Sequence, residues 1–330
     1  MKKAPTGGAR AINLNARGIS WTREKTEEES KTKIRRKANF SRRRSEPKLL
    51  REGRASLTAE RVAFRRAAHQ VLDRPRLLED PLALAIVGRE AARTLATGGT
   101  DGGAAGRNLR AFVVVRSRFA EDELARAVER GVRQYVVLGA GLDTFAYRNP
   151  YPQLRVFEVD HPATQEWKRE RLETEGIRVP ESVTYAPVNF ERQTVDEGLR
   201  LAGFQAHAAA FFSWLGVTPY LKPETVLATF RRIIGMSSEN GVAFDYAVPR
   251  SSLGLLSRMA FDALARRVAA AGEPFQGFFE PAELARELRG MGFGHVEDLG
   301  GEQINKRYFA GRTDGLRVRG GMGRLMSARG

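Results

Sequence analysis

The chain has 330 residues, 42% of them hydrophobic and 28% charged, which suits one large globular domain or two small ones. No apolar run approaches the ~20 residues of a membrane helix, and the N-terminus has no apolar stretch of the secretory kind, so neither a membrane partner nor export is expected. There is no cysteine, which excludes disulfides, thiolate metal sites and cysteine nucleophiles and fits a reducing, cytoplasmic setting; the net charge of +16 asks for a closer look at where it lies.

Most of that charge sits at the start of the chain. Residues 1–55 carry 17 Lys/Arg against 6 Asp/Glu, a net of +11, and the remaining residues net only +5. Arg35-Arg36-Lys37 and Arg42-Arg43-Arg44 are the densest points. The segment lacks helical or strand periodicity and reads as a disordered, solvated leader. An arm for nucleic acid or another acidic surface is the alternative.

Ordered structure is expected from Ser56. Ser56 and Thr58 can cap a helix, and Val62, Ala63, Ala67, Ala68, Val71 and Leu72 form its apolar stripe. A second helix is expected over Leu82–Leu95, then a glycine-rich loop over Gly98–Gly106 and a long helix over Asn108–Arg130. Strand and helix patterns then alternate. Strands are expected at Tyr135–Leu138, Leu154–Val159, Val183–Val188, Ala208–Phe212 and Gly241–Tyr246. Helices fall between them, near Thr144 and over Ala163–Glu175, Val195–Ala202 and Pro223–Ile234. This rhythm predicts a doubly wound, mostly parallel α/β sheet whose strand C-termini share one ligand-binding edge. Ser251–Ala271 reads as an amphipathic helix, followed by Phe275, Phe278 and Phe279. A helix at Pro281–Met291 and strands near His295–Leu299 and Tyr308–Ala310 finish the pattern, with a frayed tail over 313–330.

The ligand signal is Tyr135-Val136-Val137-Leu138-Gly139-Ala140-Gly141-Leu142-Asp143-Thr144, a buried strand running into a glycine turn. The second strand ends in Asp160, whose carboxylate can accept from both hydroxyls of a ribose. A dinucleotide fingerprint needs a third glycine where Thr144 stands, which disfavours a pyrophosphate. A nucleoside ligand without phosphates, such as S-adenosylmethionine, needs only the close approach at Gly139 and Gly141.

Gln134–Arg148, Phe157-Glu158-Val159-Asp160-His161-Pro162, Val183–Phe190 and Phe211–Leu221 together resemble the leucine carboxyl methyltransferase-like family of class I S-adenosylmethionine-dependent methyltransferases, in particular its bacterial natural-product O-methylating branch. The resemblance covers about residues 56–312. It implies a Rossmann-like, doubly wound, seven-stranded sheet in one domain, with an N-terminal helical extension (56–132) and a helical lid insertion (247–280). It implies that Arg116, with Arg118 as fallback, pairs with the methionine carboxylate of the cofactor. Gly139, Ala140 and Gly141 hold the methionine part, Asp160 the ribose, and Asn189 and Phe190 the adenine. Where the family often carries Glu in a Glu-Gly-Val-Thr string, this chain has Leu215-Gly216-Val217-Thr218, so the acid that faces the methionine ammonium is missing.

The expected activity is O-methylation of a carboxylate or phenol on a small apolar or aromatic acceptor under the lid residues Leu253, Leu255, Leu256, Met259, Phe261, Phe275, Phe278 and Phe279, with Tyr147 and Tyr220 near the same edge. A nucleic-acid methyltransferase using the basic arm and a catalytically weak S-adenosylmethionine-binding protein are the alternatives. His161, beside Asp160, is read as a structural residue, and no catalytic base and no metal site are assigned.

Overall fold

A computed structural model describes residues 57–97, 103–189, 193–270 and 272–330. The basic leader and the residue Phe190 lie outside the described residues. Helix α1 (Leu57–Leu72) opens the chain, followed by the short α2 (Ala83–Ile86), α3 (Arg89–Ala96) and the long α4 (Gly103–Glu129). The helix expected over Leu82–Leu95 is thus two helices. Gly88, at φ +87° between them, breaks the helical path. In turn α4 begins inside the stretch expected to be a glycine-rich loop.

The α/β part runs β1 (Gln134–Leu138), β2 (Arg155–Asp160), α5 (Pro162–Thr174), β3 (Val183–Pro187), α6 (Val195–Leu201), β4 (Ala210–Trp214), α7 (Pro223–Met236) and β5 (Gly241–Ala247). It closes with α8 (Leu255–Ala270), α9 (Pro281–Gly290), β6 (His295–Leu299), α10 (Gly301–Tyr308) and β7 (Gly323–Arg329). These strands form one seven-stranded sheet in the order β3-β2-β1-β4-β5-β7-β6. The first five are parallel, and β7 pairs antiparallel with both β5 and β6. The winding reverses between β1 and β4, which places a crevice outside their carboxyl ends.

Two corrections concern the C-terminus. Tyr308 ends a helix and does not start a strand. The tail expected to fray instead supplies β7, inserted between β5 and β6, with Leu325 and Met326 fully buried. Seven register pairs with β5 satisfy its backbone, from Gly241↔Arg329 to Ala247↔Gly323.

Strand side chains alternate between two cores, as period-2 geometry requires. Val136, Leu138, Phe157, Phe212 and Phe244 pack with Phe230 and Ile233 of α7 and Leu284 and Leu288 of α9. Tyr135, Val137, Val156 and Phe211 face the other way, onto Val115, Phe119 and Leu124 of α4. A third cluster joins Ala63, Ala67 and Ala68 of α1 to Ile86, Leu95, Leu142 and Leu172. The N-terminal helices are therefore packed directly on the glycine turn, through Leu142. Among the described residues no helix is long and apolar enough to cross a membrane.

Candidate cofactor site

The crevice is built on the turn after β1. Gly139 adopts φ +68°, and a Cβ there would sit 2.4 Å from Cγ2 of Val217. Both facts demand glycine: the left-handed conformation is costly for other residues, and Val217 leaves no room for a side chain. The amides of Gly139 and Ala140 both donate to the Val159 carbonyl, at 2.8 and 3.1 Å. The Ala140 methyl belongs to the α4-side core, so this residue can present only its backbone to a ligand. What the turn offers is close-packed backbone: Val217 fills the space beside Gly139, and a Cβ at Gly141 would lie 3.1 Å from the Ala59 methyl. Gly139→Val is expected to lower affinity for S-adenosylhomocysteine at least ~10-fold, because a side chain there collides with Val217 and displaces the backbone that must approach the ligand; calorimetric titration checks this, and unchanged affinity would remove the turn from the site.

Asp160 closes β2 and is half-buried, with both oxygens fixed. Oδ2 accepts from the Gly141 amide at 2.6 Å and Oδ1 from the His161 amide at 2.7 Å. Burial pushes its carboxyl pKa up, against the opposing pull of those two amides. A carboxylate oxygen can accept more than one hydrogen bond, so both retain capacity for a ligand. His161 is spent on structure: its Nδ1 accepts from the Ala163 amide at 3.3 Å and caps α5.

Arg116 of α4 reaches the end of β4. Its Nη1 donates to Oδ2 of Asp245 at 3.1 Å, and its guanidinium lies flat against Gly216. The other arginines of this helix differ. Arg110 closes a two-pronged pair with Asp73, at 2.8 and 2.9 Å, and Arg118 pairs with Asp122 at the surface. The structure thus brings Arg116 to the crevice and keeps the fallback Arg118 away from it. Leu215 stands one residue beyond Trp214, which is in register with Leu138, so it is level with Gly139. Its side chain packs on the α4-side core. Asn189 follows β3 two residues past Pro187, the register partner of Asp160, and so shares the same edge.

Two expectations about this edge change. Tyr147 does not line the crevice. Its hydroxyl donates to Glu158 at 2.9 Å and meets the Tyr185 hydroxyl at 3.0 Å, behind β2. Glu158 is itself buried against Lys168 at 2.7 Å. The lid residues also divide. Leu253, Phe261 and Phe279 are buried, whereas Leu255, Leu256 and Met259 are exposed. Phe275 and Phe278 are half-buried, and the Phe275 ring lies 5.3 Å from that of Tyr220. The run after α8 is held down by main-chain bonds, with the amides of Gln276 and Gly277 donating to the Pro219 carbonyl at 2.8 and 3.1 Å. At its start Glu273 accepts from the Thr58 hydroxyl, so the first turn of α1 and this run meet over the crevice.

Sequence reasoning missed Asp245, Arg66 and Asp80. Arg66 of α1 is buried with Asp80, donates to the Thr144 hydroxyl, and approaches the Leu142 carbonyl and Asp143 at 3.4 Å. The Leu142-Asp143-Thr144 half of the turn motif therefore anchors the N-terminal helices. The signal available was the charge itself: an arginine inside the apolar stripe of α1 implies a buried partner.

The sequence pattern of the leucine carboxyl methyltransferase family matches residues 59–234. A Bacillus subtilis protein named as an S-adenosyl-L-methionine-dependent methyltransferase, YktD, is 32% identical over 206 residues, covering 62% of this chain and 67% of its own. A Saccharopolyspora erythraea protein of the same description is 36% identical over 212 residues, covering 60% and 69%. Among solved structures, a methyltransferase-described protein from Thermobifida fusca (TM-score 0.51, 16% identity, covering 84% of this chain and 96% of that one) and a DUF574 family protein from Streptomyces avermitilis (0.51, 15%, 84% and 99%) share the fold. On the sequence match and the seven-stranded architecture together, the chain belongs to the leucine carboxyl methyltransferase family and is an S-adenosylmethionine-dependent methyltransferase.

Proposed function

We propose that this enzyme methylates an oxygen, a carboxylate or a phenolic hydroxyl, on a small apolar or aromatic acceptor of secondary metabolism, working in the cytoplasm. The observation that carries the acceptor class is the aromatic cluster over the crevice. Tyr220, Phe261, Phe275 and Phe278 touch one another at ring distances of 5.3 to 6.5 Å. Tyr220 also lies within electrostatic reach of Arg116, Glu273 and Asp245, which ties the cluster to the cofactor edge.

S-adenosylmethionine supplies an activated methyl group when bound. The residues present fit it: Asp160 has acceptor capacity for the ribose hydroxyls, Arg116 has guanidinium donors beyond the one bonded to Asp245, and Gly139, Ala140 and Gly141 bring no bulky side chain of their own. In this reading Asn189 accepts from the adenine amine, and Phe190, outside the described residues, follows it.

The protein's own part is alignment and exclusion of water, which alone can account for ~7–11 kcal/mol of a barrier. Burial pushes the Tyr220 hydroxyl up to about 12, so at neutral pH it is a donor and not a base. It can orient an acceptor oxygen but not deprotonate it. A carboxylic acid arrives already ionised and suits this site best.

The test is mass spectrometry on libraries of aromatic carboxylic acids and phenols incubated with the full chain and cofactor. The expected product is the methyl ester, heavier than the parent acid by one CH2 and hydrolysed by base, with S-adenosylhomocysteine released. Labelling of nucleic acid in place of small acids would overturn the proposal. By calorimetric titration, Arg116→Ala is expected to weaken S-adenosylhomocysteine binding ~10–30-fold, the loss of one charged pair, while Arg118→Ala changes it less than about 2-fold. Equal effects would remove Arg116 from the cofactor site.

A further inference from the structure

The acid that faces the cofactor ammonium in the family string is replaced here by Leu215, yet a carboxylate on the neighbouring strand is bonded to the same turn. Asp245 is the fifth residue of β5, a strand buried along its whole length, and is only 3% exposed. Its Oδ1 accepts the Gly216 amide at 2.5 Å and its Oδ2 accepts Arg116 Nη1 at 3.1 Å. Its carbonyl accepts the Thr218 hydroxyl at 2.6 Å. One residue of the neighbouring strand therefore holds Arg116 and both ends of the Gly216–Thr218 turn.

The fit between these groups is tight. Gly216 adopts φ +73°, and a Cβ there would lie 2.5 Å from Arg116 Nη2. An arginine laid across that glycine cannot shift toward β4. A buried carboxylate is costly unless paired. Asp245 is paired, but through a single guanidinium nitrogen, and among the described residues no acceptor is bonded to Arg116 Nε or Nη2. By contrast Asp73 takes both prongs of Arg110. The Arg116–Asp245 pair is thus net neutral and half engaged.

We propose that Asp245 takes over the part of the acid missing at Leu215. With Arg116 it forms an alternating pair of charges that receives the zwitterionic amino-acid end of S-adenosylmethionine. Asp245 is a positioning residue: it fixes the guanidinium for the incoming carboxylate and supplies the negative charge that balances the ammonium. A lone Arg116 would favour an anion; the pair favours a zwitterion. The inference rests on the cofactor reading above and extends it to a residue on a different strand.

The experiment compares two ligands by calorimetry on the full chain. S-adenosylhomocysteine carries the amino-acid end, and 5′-methylthioadenosine shares the adenosyl thioether but lacks it. Asp245→Asn is expected to weaken the first by about 10-fold or more and the second by less than about 3-fold. Adding Leu215→Glu to Asp245→Asn is expected to recover at least ~3-fold of the lost affinity. Equal losses for the two ligands would make Asp245 a general structural residue and overturn the proposal, as would undiminished S-adenosylhomocysteine binding. A Glu at 215 that recovers nothing, while 5′-methylthioadenosine still binds, removes the claim that Asp245 replaces that acid. If the unaltered chain takes up neither ligand, the cofactor reading itself is wrong and this inference goes with it.

Discussion

Asp160→Ala is expected to weaken S-adenosylhomocysteine binding by about two to three orders of magnitude, because hydrogen bonds to a charged acceptor contribute ~1.5–3 kcal/mol each and the proposed site makes two to the ribose. The carboxylate is fixed before any ligand arrives, by the Gly141 amide at 2.6 Å and the His161 amide at 2.7 Å. Little side-chain entropy remains to be lost on binding, so the full strength of the two bonds is available. Truncation also leaves both amides without their acceptor, one in the glycine turn and one at the start of α5. Asp160→Asn is expected to fall between, since one amide oxygen replaces two carboxylate oxygens and its NH2 opposes a backbone donor. The acid limb follows from the same geometry. Burial raises the Asp160 carboxyl above its ordinary range. The ionised form is the ribose acceptor, so affinity is full above that raised value and is lost as pH falls through it. The loss comes at higher pH than an ordinary carboxyl of ~3.9 would give. Titration of Asp160→Ala across the same pH range is expected to show no such limb. Affinity retained in Asp160→Ala, or a loss of affinity above about pH 4 that survives it, sinks the assignment.

How much of this was legible before the structure depends on the range of the interactions. Leu138, Gly139 and Asp160 declare themselves locally: an apolar run, a residue needed at positive φ, a carboxylate at a strand end. The parallel sheet followed from the spacing of such runs. The strand Gly323–Arg329 did not, because its seven residues hold only Leu325, Met326 and Ala328 as apolar members and begin after a glycine-rich stretch. It is a strand because β5 and β6 offer open edges on either side of it, a long-range fact. Asp245 was hidden for a related reason. An acid between Phe244 and Tyr246 reads as the solvent-facing residue of an alternating strand, yet the strand is covered on both faces and the acid meets Arg116, 129 residues earlier. Leu255, Leu256 and Met259 differ from the buried members of the same segment: apolar identity suggested cover, and they are 66 to 82% exposed. Pattern finds elements and tight turns. It does not find which charged group in one element answers a charged group in another.

Asp80→Ala tests the second of these hidden answers, and its expected effect is on stability more than on binding. Asp80 is 1% exposed and Arg66 is 2% exposed. The carboxylate takes Arg66 Nη2 at 2.5 Å, the Thr144 hydroxyl at 2.7 Å and the Leu82 amide at 3.2 Å, with Arg148 Nε 3.6 Å away. Removing one partner of a buried ion pair leaves the other charge uncompensated, which costs about 3–5 kcal/mol. For a domain of this size each kcal/mol lowers Tm by roughly 2–4 °C, so a fall of about 6–20 °C is expected in scanning calorimetry. Burial alone would raise the Asp80 carboxyl; Arg66, Arg148 and the Thr144 hydroxyl outweigh it and hold the pKa below its ordinary value. Asp73 behaves alike, with burial overcome by bonds from His69 and Arg110 that bring it down to about 2. A carboxyl depressed in the folded state adds stability that is complete above its unfolded value of ~3.9 and is lost as pH falls toward the folded one. Unaltered protein should therefore lose stability steeply below about pH 4, and Asp80→Ala, already without that contribution, should follow a shallower acid limb. S-adenosylhomocysteine affinity should fall far less than in Asp160→Ala, because Thr144 and Leu142 lie on the anchored half of the turn and Gly139 and Gly141 on the ligand half. A melting temperature within about 2 °C of the unaltered chain would show that the Arg66–Asp80 pair does not hold the N-terminal helices to the turn.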